Sequence, residues 1–372
     1  MSRKKRVDGV PLVKSVEISD EIFPNKTEKY FVIPLLAVLI FIVSGLIFMN
    51  LSEYFDDKIE ERMVLTCGDG TFYDTCSLNE PFYCQEGVLI EKASICGCSS
   101  RKKSGDSCVS EYQVWPKNVR LKYIFNSEAR YITYVTYGGL AEYLGNLSRS
   151  IIYYSEEKPF RVDFKLESIN EPVQKEFLLS LVAVIQNLAE DKIDQTRIAI
   201  SLVQNIEFGD SYKKIDFGDN FVDYERYPYE VLYDLKGVCG EKSTLLAFLL
   251  KELGYGVVLF YYPFENHEAL GIACPVENSY KGSGYCFVET SGPSIITDNE
   301  MEYVGGIILE SYPEFMLISE GISLPKNLQE YKDAEDFKKI RENSRQRGID
   351  KGDMRKLKEF KAKYGLAEFY NA

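Results

Sequence analysis

The chain has 372 residues, 44 Lys and Arg against 57 Asp and Glu, and a formal charge of −13. Its length leaves room for more than one domain with a sizeable core. The acidic balance argues against a general nucleic-acid binder, which needs clustered Lys and Arg to engage phosphates.

The first residues, MSRKKR, are basic. The run from Phe31 to Met49, FVIPLLAVLIFIVSGLIFM, carries no charge. It is roughly 19 residues long, enough to cross a bilayer core with little tilt. It begins late for a signal peptide, is long for an h-region, and lacks a small-x-small cleavage site before SEYFDDKIEE. The expectation is an anchor over 31–51, with the bilayer as its partner and 1–30 as a cytoplasmic tail. Arg3, Lys4, Lys5, Arg6, Lys14, Lys26 and Lys29 stand on one side, against Lys58 and Arg62 on the other. The positive-inside rule then places everything after Asn50 outside the cell, as a single-pass membrane protein.

Residues 52–110 read as a charged stalk followed by a cysteine-rich module. Cys67, Cys76, Cys84, Cys96, Cys98 and Cys108 fall in one block. In an oxidising compartment such a block reads as a disulfide framework whose pairing the sequence does not select. Zinc is the rival reading, weakened by the lack of a CxxC pair and by a histidine that lies elsewhere. The block has few apolar residues, so bridges are needed to hold it.

Residues 111–170 read as a β-rich lobe, with strands in LKYIF, RYITYVTY, SIIYY and RVDFKLE. Asn146-Leu-Ser148 fits a glycosylation acceptor in a surface loop. Residues 171–324 read as the main domain. Helical spacing of apolar residues runs through VQKEFLLSLVAVIQNLAE and DQTRIAISLVQNI. A polar, aromatic loop follows, then YEVLYDLKG, then a helix after Cys239 that is apolar on most faces and ends at Gly254. GVVLFYY, HEALGIA and YCFVET read as consecutive strands. Cys274 and Cys286 flank the turn-rich PVENSYKGSGY, and strands joined there bring the two thiols together as a disulfide. Residues 325–372 form a charged helical tail, read as solvated.

That leaves Cys239 unpaired, in GVCGEKSTLLAFLLKELG. His267 is the only histidine of the chain, in NHEALGIACP. Glu289 follows in YCFVETSGP. The order is thiol, base, carboxylate, the set that makes a cysteine attack a carbonyl. A helix start supplies free N–H groups and positive dipole for the thiolate. His267 exchanges the proton and returns it to a leaving amine. Glu289 fixes the tautomer. The oxyanion donors are the backbone N–H of Cys239 and, as a side-chain candidate, Gln204. This chemistry calls for no metal and no cofactor.

From Gln204 to Pro293 the chain resembles the transglutaminase-like superfamily, particularly its microbial members. The resemblance is carried by GVCGEKSTLLAFLLKELGYGVVLFYY, NHEALGI and FVETSGP, together with VQNIEF and ERYPYEVL upstream. Glu289 stands where many relatives have Asp, and Glu268 where many have an aromatic residue. The resemblance implies Cys239 as nucleophile, His267 as base and Glu289 as third member. It also implies an α+β fold with a papain-like core, a buried helix packed on an antiparallel sheet, here behind a transmembrane helix and a small cysteine-rich module. The implied function is an outward-facing thiol enzyme that forms an acyl-thioester on Cys239 from an amide of a cell-surface protein or peptide. Amine or water then discharges it. A cysteine peptidase or amidase proper is one alternative, and a non-catalytic cell-surface binding or assembly protein is the other.

Overall fold

The computed structural model describes residues 65–154, 158–210, 214–217, 220–223, 225–300 and 308–366. The expected anchor over 31–51, the tail over 1–30 and the start of the stalk lie outside the described residues.

The cysteine-rich module holds two small hairpins. Strands β1 (Phe82–Gln85) and β2 (Val88–Glu91) pair antiparallel, as do β3 (Lys102–Ser104) and β4 (Ser107–Val109), with the helical turn α1 (Ala93–Cys96) between them. Disulfides Cys67–Cys84, Cys76–Cys96 and Cys98–Cys108 tie them together. The pairing removes the zinc reading. The apolar centre is small, with Phe82 and Leu89 around the buried Cys67–Cys84 bridge. Cross-links that limit the unfolded chain compensate for that small core.

A long hairpin follows. Strands β5 (Pro116–Phe125) and β6 (Glu128–Tyr137) turn through Asn126 and Ser127, both at positive φ, 53° and 63°. Two such residues make the hairpin turn that matches strand twist. The hairpin feeds α2 (Gly138–Asn146), α3 (Arg161–Asn170), α4 (Pro172–Leu188) and α5 (Lys192–Gln204). Helix α4 receives the cysteine-rich module: the Asn187 amide bonds both the N–H and the carbonyl of Leu89, at 2.8 and 2.9 Å.

Two segments expected as strands are not. RVDFKLE is the first part of α3, and SIIYY forms no strand. In RVDFKLE the alternation fits a strand as well as a helix. Two things decide it. Asp163 accepts a hydrogen bond from the N–H of Phe160 at 2.7 Å and so caps a helix start. The residues turned inward are Val162, Lys165, Leu166 and Ile169, at helical spacing, while Phe164 stays 39% exposed.

After α5 the short strand β7 (Glu207–Phe208) precedes a hairpin, β8 (Lys214–Phe217) and β9 (Asn220–Asp223). Then come α6 (Pro228–Asp234), β10 (Lys236–Gly237), which pairs parallel with β7, and α7 (Cys239–Glu252). Strands β11 (Val257–Tyr262), β12 (His267–Ala273), β13 (Tyr285–Val288) and β14 (Glu314–Ser319) form a four-stranded antiparallel sheet in the order β13-β12-β11-β14. The Cys274–Cys286 disulfide clips β12 to β13.

Helix α7 runs through the main core. Leu245, Leu246, Phe248, Leu249 and Leu250 are completely buried. They share one core with residues of α4, α5 and α6 and with the sheet face that carries Val257, Leu259, Leu270, Ile272 and Val288. The other sheet face holds a second cluster of Val258, Phe260, Tyr262, Ala269, Tyr280 and Phe287. Burial on both faces explains why VVLFYY is a continuous apolar run rather than an alternating one.

These observations correct the expected fold class. The protein is α+β, but among the described residues its strands fall into six sheets with mixed pairing, including the parallel pair β7–β10 and a parallel bridge of Tyr255 with Ile322. The expected buried helix on an antiparallel sheet is therefore one part of a mixed arrangement, and the expected transmembrane helix lies outside the described residues. Among the described residues no helix is long and apolar enough to cross a membrane.

The C-terminal segment also differs from a solvated tail. Helices α8 (Gln329–Arg347) and α9 (Lys351–Tyr364) pack together through Ala334, Phe337, Ile340, Leu357 and Phe360, with Ile295 in the same cluster. High charge on the remaining faces hid this narrow apolar stripe.

Candidate active site

Three elements converge at the start of α7. Helix α7 begins at Cys239, β12 begins at His267, and Glu289 directly follows β13. Antiparallel pairing sets Leu270 opposite Val288 and so brings the two latter residues to one edge of the sheet.

The start of α7 is held by charge. Glu241 accepts from the N–H of Val238 at 3.0 Å and from the N–H of Arg226 at 2.8 Å. Its other contact is the Arg226 guanidinium at 2.7 Å, and both side chains are buried. Arg226 also donates to Asp234 at 3.0 Å. An acid at the third helical position satisfies an N–H group that the helix itself leaves free. Arg226→Met is expected to lower stability by about 3–5 kcal/mol, because it strands a buried carboxylate. Denaturant unfolding of the variant measures this, and a loss under about 1 kcal/mol would contradict it.

Gly240 leaves little room for a side chain. A Cβ there would stand 3.0 Å from Glu225 Oε1 and 3.3 Å from Glu268 Oε1. Both carboxylates meet Lys165, at 2.5 and 2.9 Å. The Lys165–Glu268 approach is a close charge contact rather than an aligned hydrogen bond, since both Glu268 oxygens lack a well-directed donor. Glu268, where the family resemblance suggests an aromatic residue, therefore has a partner in α3.

The thiol of Cys239 is half-buried and is the one free cysteine, the other eight being paired. His267 is buried, and its Nε2 lies 2.9 Å from Glu289 Oε2. The Cys239 side chain is the other group that acts on the ring. With Nε2 taken by the carboxylate, Nδ1 is the nitrogen that remains for sulfur. Glu289 Oε1 accepts from the N–H groups of Thr290 at 3.0 Å and Ser291 at 2.7 Å. The Thr290 hydroxyl donates to the Cys239 carbonyl at 3.2 Å and bonds the Ser243 hydroxyl at 2.8 Å. These contacts lock the carboxylate strand to the first turn of the helix.

The electrostatics follow from this arrangement. Burial disfavours charge on the His267 ring, but hydrogen bonds and negative charge from Cys239 and Glu289 outweigh it and push its pKa up to about 10. Burial alone would favour a neutral Glu289. The His267 contact and the Ser291 N–H hold its carboxyl below the usual range instead. At neutral pH the geometry is thus an imidazolium between a carboxylate and a sulfur, with the free N–H groups of a helix start beside the sulfur.

Gln204 is buried at the end of α5, and its amide is committed elsewhere. Its Nε2 donates to the Glu289 carbonyl at 2.9 Å and to the Ser294 hydroxyl at 3.0 Å. It braces the strand end that carries the carboxylate. Asn146 is exposed at the last position of α2.

Several site residues escaped the sequence reading: Arg226, Glu241, Lys242, Ser243 and Thr290. A usable signal existed. GEKST places four polar side chains in succession at the start of a helix whose middle is apolar, and all of Glu241, Lys242, Ser243 and Thr244 are buried. Polar groups in that position need partners, and their partners are the site.

The chain matches no family model, no curated protein and no solved structure.

Proposed function

We propose that this protein is a thiol acyltransferase or hydrolase working by transglutaminase-like chemistry. The observation that carries the reading is the buried His267 ring held by Glu289 at 2.9 Å, with the unpaired Cys239 as the other group that acts on it. An imidazolium beside sulfur favours the thiolate, which is the attacking form. The thiolate adds to an amide carbonyl, and first-turn N–H groups of α7 meet the oxyanion. His267 gives its proton to the leaving amine as the C–N bond breaks, leaving a thioester on Cys239. The same imidazole then takes a proton from an incoming amine or water, and the thioester carbonyl passes to that nucleophile.

The substrate class is a peptide or protein amide. Four disulfides fit a location outside the cytoplasm, so the amide belongs to an extracytoplasmic partner. The resemblance over Gln204–Pro293 supports the same chemistry through its residues alone.

The test uses p-nitrophenyl acetate as an acyl donor. One acetyl group per chain is expected on Cys239, located by mass spectrometry after acid quench, with a burst of p-nitrophenolate. Added cadaverine accelerates turnover if an amine is the natural acceptor. Acylation no faster than that of the denatured chain's thiol would refute the proposal.

A further inference from the structure

Lys242 stands one turn beyond Cys239 on α7, and its side chain is completely buried. A cation so far from water is costly unless the site compensates it. Its ammonium donates to the carbonyls of Ile206 at 2.7 Å, Ser291 at 3.0 Å and Gln204 at 3.4 Å. None of these partners is a carboxylate. Packing alone would be served as well by an apolar side chain of this length.

The three carbonyls belong to the segments that enclose Glu289. Ser291 donates its N–H to Glu289 Oε1 at 2.7 Å. Gln204 donates its amide to the Glu289 carbonyl at 2.9 Å. The ammonium therefore closes a ring that runs from α7 through Ser291, Glu289 and Gln204 back to α7. Glu289 and Cys239 both lie near enough for their charges to act on it. Burial pulls its pKa down to about 8 against those charges, so it still carries its proton at neutral pH.

We infer that Lys242 is a positioning residue, which holds the Glu289–Ser291 turn against His267 and supplies positive charge behind Cys239. This rests on Cys239, His267 and Glu289 acting as a unit. A polar lysine that did no more than fill space would leave the reactivity of Cys239 untouched.

The test is iodoacetamide alkylation of the folded, full chain from pH 5 to pH 9. Because Cys239 is the one free thiol, total alkylation reports on it alone. Lys242→Met removes charge and donors, Lys242→Gln keeps donors without charge, and Lys242→Arg keeps the charge. Lys242→Met is expected to slow alkylation at pH 6 by about tenfold and to move the acid limb upward by about one pH unit. Lys242→Arg, which keeps the charge but not the compact ammonium, should fall between the parent and Lys242→Met. Wild-type rate and profile in Lys242→Met would overturn the inference while leaving the triad standing. So would the absence of a cooperative thermal transition in both Lys242→Met and Lys242→Gln, which would assign the residue to stability alone. If the parent protein alkylates no faster than its denatured chain, the triad reading itself fails and takes the inference with it.

Discussion

Cys239→Ala is expected to abolish alkylation and to lower turnover of an acyl donor by about 10⁴-fold or more. The first loss is absolute, because the other eight cysteines are held in disulfides and no thiol remains. The second follows from chemistry. Without sulfur there is no acyl-enzyme, and what survives is the binding and oxyanion stabilisation of the first helical turn. The fold should be almost unaffected. The side chain is half-buried and small, and the helix start is held by Glu241 and Arg226 rather than by the thiol. A thermal midpoint within a few degrees of the parent is the control. Cys239→Ser separates nucleophile from shape: its hydroxyl fits the same space but does not ionise near neutral pH. Retained ester turnover in Cys239→Ala, with the fold intact, would transfer the activity to another residue and remove the mechanism.

Much of the candidate site was readable because its chemistry sits on rare residues. A chain with one imidazole offers His267 for every role that needs one. Cys239 stood out because the other cysteines had partners by spacing, six in one block and two around a turn-rich segment. The strands of HEALGIA and YCFVET were readable too, since short, largely apolar segments on either side of a turn-rich stretch fit buried strands. The rest was hidden for physical reasons. RVDFKLE satisfies both periods, and the deciding contact is a single carboxylate on a backbone N–H, local in space but silent in a hydropathy pattern. Gln204 resembled a side-chain donor for an oxyanion, yet its amide bonds the Glu289 carbonyl. Pairing across 85 residues of sequence is not visible from one end. The buried polar run Glu241 to Thr244 was readable as an anomaly, although its partners at Arg226, Ile206 and Thr290 were not. The division of strands among six sheets, including a parallel pair, lies at the level of topology, where long-range pairing decides and local pattern is mute.

The largest pH-dependent effect is expected from His267→Asn. In the parent the ring titrates at about 10, so the imidazolium persists across the neutral range. Asparagine keeps a hydrogen-bond donor toward Glu289 but carries no transferable proton and no charge. Alkylation of Cys239 at pH 6 should fall by about 100-fold, and its rate should then climb with pH toward the ordinary thiol value near about 8.5. Acyl-donor turnover should fall by about 10²- to 10⁴-fold, the range for loss of a general acid–base group. Stability carries the same signature. A histidine whose folded pKa is raised from 6.5 to about 10 contributes stability that is complete below pH 6.5 and is lost as pH rises through about 10. Glu289, lowered from 4.5, contributes stability that is present above pH 4.5 and is lost as pH falls through its folded value. The pair therefore supports the fold most between pH 4.5 and 6.5, and denaturant unfolding across pH 4 to 10 should show a decline on the alkaline side that His267→Asn removes. An alkaline decline that persists unchanged in the variant, or alkylation at pH 6 as fast as in the parent, would show that the imidazole neither carries the charge nor serves the sulfur.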